Sequence, residues 1–164
     1  MNKCPELHYT PKDVCKELLK DITFNKNDYT LEPCKANGNF YDIIPYKKDW
    51  CEIDNGRDFF NYDFGKNKFT KIIVNPPYRS NHKKEEDRKN IMWKFIFKCF
   101  DLCIDECWFL LSIKQLNGLT PKRLKTINEA GFNLCFMRII NIKKWYGRYY
   151  WICFSKNKNS IISF

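Results

Sequence analysis

Lys71-Ile72-Ile73-Val74-Asn75-Pro76-Pro77-Tyr78 reads as an apolar strand that runs into a rigid, donor-poor corner. Prolines have no N–H, so the backbone around Pro76 and Pro77 offers mainly carbonyl oxygens, and their fixed φ stiffens the turn. Asn75 adds a side-chain carbonyl and Tyr78 a flat ring. Such a corner can hold a planar amino group through its hydrogens while the ring stacks on the heterocycle that carries it. It suits transfer of a group onto the exocyclic amine of a base. A plain strand-ending turn also uses proline, so the flanking sequence decides between the two.

Upstream, a short strand near residues 29–31 runs into Glu32-Pro33-Cys34-Lys35-Ala36-Asn37-Gly38-Asn39-Phe40. Small residues at Ala36 and Gly38 let the backbone approach a ligand closely. Glu32 puts a carboxylate at the carboxyl end of that strand, where open α/β sheets bind ligands. A second strand is predicted at Trp50-Cys51-Glu52-Ile53, so Glu52 follows Glu32 by 20 residues. That is about the spacing at which an acid reaches ribose hydroxyls in dinucleotide folds. Asp58 is placed to accept from an adenine amino group, with Phe59 covering the base. No full Gly-x-Gly-x-x-Gly run is present, so a nucleoside ligand without phosphates fits best.

In these residues the chain resembles class I S-adenosylmethionine-dependent methyltransferases of the amino-methylating kind, above all the short adenine-N6 DNA methyltransferases of phages, viruses and mobile elements. Glu32-Pro33 through Gly38-Asn39-Phe40 is similar to that family's first motif. Trp50-Cys51-Glu52-Ile53 and Asp58-Phe59-Phe60 resemble its second and third, and Asn75-Pro76-Pro77-Tyr78 matches its fourth. His8-Tyr9-Thr10-Pro11 resembles the N-terminal motif that lies over the methionine end of the cofactor. The resemblance implies S-adenosylmethionine held by Tyr9, Thr10, Glu32, Pro33, Ala36, Gly38, Glu52, Ile53, Asp58 and Phe59. It implies transfer chemistry at Asn75, Pro76, Pro77 and Tyr78 and no metal. Base contacts are expected from Tyr78 and Arg79, and from Trp145 or Tyr146 on the other face. Ala36 stands where the family usually has a glycine, which predicts a weakened cofactor loop. The short interval from Glu52 to Asp58 predicts that a helix of the standard fold is missing.

The chain has 164 residues and a formal charge of +10, expected as one domain (1–164) with a polyanionic partner. DNA is favoured over RNA as that partner. A separate protein is the natural source of target recognition, because no long insertion offers it. The same corner also fits an adenine in RNA or a glutamine side-chain amide. Ala36 would equally suit a nucleic-acid-binding subunit that lost its cofactor. No apolar run long enough for a membrane span and no signal segment is present, so an intracellular location is expected: cytoplasm, or nucleus or virus factory in a eukaryotic host.

Nine cysteines without a Cys-x-x-Cys pair argue against a zinc or disulfide framework. Cys99, Cys103 and Cys107 recur every four residues, predicting one face of a buried helix over 91–107. Thr10 is expected to cap a helix with Pro11 at its first position, and Thr120-Pro121 a basic helix that stops at Gly131. Residues 79–90 read as a charged loop, and 108–113 as a buried strand. The runs 134–142 and 149–154 read as an antiparallel hairpin. The predicted fold is α/β: a reduced Rossmann-like class I methyltransferase sheet, mostly parallel, with that hairpin at one edge.

Overall fold

Runs such as Ile72-Ile73-Val74 and Trp108-Phe109-Leu110-Leu111 have no polar alternation, so a sheet built from them must be covered on both faces. The computed structural model describes residues 9–77, 85–143 and 145–162, with the backbone alone for 85–90. Six strands form one sheet: β1 (Tyr29–Glu32), β2 (Lys47–Trp50), β3 (Phe69–Val74), β4 (Cys103–Ser112), β5 (Asn133–Ile140) and β6 (Tyr149–Ser155). Their order is β2-β1-β3-β4-β6-β5. The first four are parallel, and β6 runs antiparallel to both β4 and β5. The mostly parallel sheet with an antiparallel edge hairpin is as expected.

Helices α2 (Glu85–Leu102) and α4 (Pro121–Glu129) lie on one face, over a core that includes Phe59, Phe95, Phe100 and Phe109. Helix α1 (Lys12–Leu19) lies on the other, with Cys15 and Leu18 packed with Phe40, Trp108 and Trp151. The chain leaves β1 toward β2 and returns to place β3 on the opposite side of β1. The carboxyl ends of β1 and β3 therefore flank a topological switch point, the crevice where open sheets hold ligands.

Several boundaries differ from expectation. Strand β2 is Lys47–Trp50, three residues earlier than predicted, and it is polar. As an edge strand it needs no apolar face: Lys47 Nζ lies 4.0 Å from the Tyr29 ring centroid, and Asp49 pairs with Arg57 at 2.6 Å. Between β2 and β3 the described chain has only a 3-10 turn, Ile53–Asn55. Helix α2 begins at Glu85, inside the predicted loop, and ends at Leu102, so Cys103 and Cys107 lie on β4. A spacing of four is one helical turn but also two strand repeats, and all three cysteines do face one core. Pro11, not Thr10, occupies the cap position of α1, and Thr10 makes no cap bond. Thr120 does cap α4, accepting from the Arg123 N–H at 3.4 Å. A short helix that the sequence did not signal, α3 (Ile113–Leu116), follows β4.

Candidate active site

Three segments meet at the switch point. Asn75 leaves the end of β3, and its Nδ2 donates to Thr10 Oγ1 at 3.2 Å. The Thr10 backbone carbonyl accepts from Asn39 Nδ2 at 2.8 Å, which ties the loop after β1 to the same point. Thr10 is only 6% exposed, so this junction lies inside the fold rather than on its surface. The Thr10 bond sets the amide of Asn75, with Nδ2 toward the N-terminal segment and Oδ1 on the opposite side. The motif resemblance put Thr10 beside the cofactor, but nothing in the linear sequence signals its bond to Asn75, 65 residues away.

The loop after β1 is wound tightly. Cys51 N donates to Glu32 O, and Lys35 N to Cys51 O, so the β1–β2 pairing extends into it. Gly38 N then donates to Lys35 O. Gly38 has φ +82°, and a Cβ there would sit 3.3 Å from Asp42 Oδ1. Ala36 also lies in the left-handed region, with φ +49°. Its N–H donates to Glu52 Oε2 at 2.6 Å, which brings together two residues predicted for one ligand. Glu52 Oε1 keeps only a 3.5 Å contact with Asp54 N.

The left-handed region costs an alanine about 1–2 kcal/mol, whereas glycine there loses roughly 0.4–1 kcal/mol through a looser unfolded chain. Ala36→Gly is therefore expected to stabilise the protein by about 0.5–1 kcal/mol. A urea unfolding midpoint that falls would contradict this.

Glu32 is 3% exposed, and its Oε2 has no hydrogen-bond partner. Burial lifts its carboxyl well above the ordinary range, with the Tyr41 backbone N–H and Lys35 pulling the other way. A buried, half-satisfied carboxyl at a strand end suits a ligand that brings a positive group. Pro33 beside it is buried, while Tyr9 is 42% exposed and Ile53 60%. Ile53 next to Glu52 thus offers an apolar surface at the rim. Asp58 is occupied locally: Oδ1 accepts from Phe60 N at 3.0 Å and Oδ2 from Asn61 Nδ2 at 2.6 Å. Phe59 is buried in the core, with its ring centroid 4.5 Å from that of Phe95, so it is not placed to cover a base.

Of the two late aromatics, Trp145 is packed in the core beside Tyr149 at 4.9 Å. Tyr146 is fully exposed, in the β5–β6 connection. That connection lies at the carboxyl edge, where Ser112 pairs with Tyr149. Tyr78 and Arg79, with His8, lie outside the described residues.

No family model matches the chain. It is 29% identical over 125 residues to the type II methyltransferase M.HincII of Haemophilus influenzae, a match that covers 66% of this chain and 24% of the relative. The chain thus spans about a quarter of the curated relative it matches. A proposed class I S-adenosylmethionine-dependent methyltransferase from Listeria monocytogenes superposes with a TM-score of 0.66 at 12% identity, over 93% of this chain and 60% of that one. The 23S rRNA methyltransferase ErmE superposes with a TM-score of 0.63 at 11% identity, over 94% and 72%. At such identities the structural likeness speaks for the fold. The resemblance read from the motifs and the class I methyltransferase fold are both met.

Proposed function

We propose that this chain, which has the class I methyltransferase fold, is an S-adenosylmethionine-dependent methyltransferase acting on the N6 amino group of adenine in nucleic acid, DNA before RNA. The single observation that carries the reading is the Asn75-Pro76-Pro77 corner at the switch point, its amide oriented by Thr10. The motif favours a planar amine. The M.HincII likeness favours DNA, and the charge of +10 favours a polyanion over a protein glutamine.

The residues present fit the cofactor. The half-satisfied Glu32 carboxyl would hold the methionine ammonium, Glu52 Oε1 the ribose diol, and Ile53 the adenine. When bound, S-adenosylmethionine supplies an electrophilic methyl on a sulfonium. An adenine amine is a poor nucleophile because its lone pair is delocalised into the ring. Asn75 Oδ1 and the Pro76 carbonyl accept its two hydrogens and favour a more pyramidal nitrogen. This is positioning and electrostatic preorganisation, and no strong base is needed in the transfer step. A base paired within a duplex must be extruded first. Tyr78 is proposed to stack on one face of it, and exposed Tyr146 is available at the same edge. A separate protein is proposed to supply target recognition, since no long insertion lies between the motifs.

Incubation with methyl-labelled cofactor and duplex DNA, single-stranded DNA or RNA, read by mass spectrometry of nucleosides, tests the reading. N6-methyladenine in DNA is the expected product. Label in glutamine alone, or none with the partner protein present, would overturn it.

Glu32 also makes cofactor affinity pH-dependent. Below its raised pKa the free protein holds a neutral carboxyl, and a cationic ligand must first displace that proton. Affinity is therefore expected to rise with pH up to that pKa, by at most about tenfold per unit. Glu32→Gln is expected to flatten the profile in calorimetric titration. An unchanged slope in the variant would remove Glu32 from the ammonium site.

A further inference from the structure

The α1 face carries both paired and unpaired cations: Lys12 and Lys16 take part in no ion pair of the described residues. On the α1 face, Lys20 pairs with Glu17 at 2.7 Å, and Arg138 pairs with Asp21 at 2.8 Å. On the α2–α4 face none of Lys94, Lys98, Lys122, Arg123 and Lys125 takes part in an ion pair of the described residues. Unpaired like charges on one face repel each other and lower stability, so an anionic partner would relieve them.

A groove of about 710 Å³ runs through this face. Its floor is apolar, made by Trp93, Phe97 and Leu102, and its rim is Lys94, Lys98 and Arg123, with Asp101 the one acid lining it. The groove is shallow and open, but two of its cations are held in place. Arg123 stacks 4.5 Å from the Trp93 ring centroid and donates to Gly118 O at 2.6 Å. Lys98 donates to Phe60 O at 2.9 Å. Gly118 itself abuts Trp93, where a Cβ would meet the indole at 3.0 Å. It follows β4 and α3, so this end of the groove opens near the carboxyl edge that carries Asn75. From there the groove descends α2 toward Leu102.

We propose that this groove is a binding site for an unpaired strand of nucleic acid, its phosphates on the Lys94–Lys98–Arg123 rim and a base against Phe97. The inference rests on the proposed nucleic-acid substrate and extends it to a surface away from the transfer site. A cationic groove with an aromatic floor is how single strands are held without sequence preference. A duplex, with its bases stacked inside, could use the rim but not the floor.

The test is fluorescence anisotropy of a labelled single-stranded oligonucleotide of about a dozen nucleotides, within the range of known site sizes. Binding is measured against salt concentration for the whole chain and two variants. Lys94 is exposed, so Lys94→Gln leaves the fold intact, and it is expected to reduce the slope of log affinity against log salt by about 0.7. Phe97→Leu keeps apolar volume but loses the ring, and is expected to weaken binding about fivefold or more at unchanged slope. Lys20→Gln on the opposite face is expected to change neither.

Wild-type binding that survives both groove substitutions would overturn the groove and leave the proposed activity standing. No binding by the wild type would overturn the groove, while the proposed activity stands or falls on the methylation assay with duplex DNA. Displacement by polyglutamate but not by unlabelled oligonucleotide would reassign the groove to an acidic protein segment. Selective loss in the two groove variants would establish it.

Discussion

Asn75→Ala is expected to lower turnover on adenine substrates by about a hundredfold or more, while cofactor affinity stays near the wild-type value. The scale is that of removing one preorganised hydrogen-bonding group from a reacting centre. Its bond to the amine strengthens as the nitrogen becomes pyramidal, so the loss falls on kcat rather than on binding. Asn75 also donates to Thr10 Oγ1, so the variant loses a structural bond as well. That bond is worth only about 1 kcal/mol, too little to unfold the chain, and a melting curve can be recorded beside the kinetics. Turnover at the wild-type rate would reduce Asn75-Pro76-Pro77 to a rigid turn.

Lys71→Met is expected to have the largest effect on stability. Lys71 is 3% exposed in the middle of the sheet. Its Nζ lies 3.3 Å from Glu106 Oε2 on β4 and 3.7 Å from Asp28 just before β1. Removing one partner of a buried ion pair costs roughly 3–5 kcal/mol, because the other charge is left in a poor solvent. Here Glu106 keeps Lys158 at 2.5 Å and the Trp108 indole N–H at 3.0 Å. The lower end, about 3 kcal/mol, is therefore expected, measured by urea unfolding. A loss below about 1 kcal/mol would show that Lys158 and Trp108 satisfy Glu106 alone. The pH dependence has a definite sign. Burial pushes the Glu106 carboxyl up, but bonds from Lys158 and Trp108 and the attraction of Lys71 outweigh it, leaving the group below its ordinary range. The network is fully present above the unfolded carboxylate pKa, and its contribution is lost as pH falls through the lowered folded value.

The two predictions concern β3 and the corner that follows it, and they were unequally legible. The Asn-Pro-Pro corner is a local signal: proline chemistry and the strand before it belong to the same few residues. The cap at Thr120 and the β5–β6 hairpin are local in the same way. The polar strand β2 was not legible, because an edge strand need not carry an apolar pattern and its lysines are held by Tyr29 and backbone carbonyls elsewhere.

The class of fold was legible in the residues alone, since it rests on short-range periodicity and turn chemistry. Tertiary structure alone decided which of the candidate site residues are buried and which stay exposed. Phe59 packs on Phe95 from α2 and Trp145 on Tyr149 from β6, whereas Ile53 and Tyr146 stay exposed. Register alone put Lys71 opposite Glu106 on the neighbouring strand, and chain return alone brought Thr10 to Asn75. An aromatic or charged side chain carries the same letter whether buried or free. Its role is set by which distant segment covers it, and that depends on burial across the whole sheet.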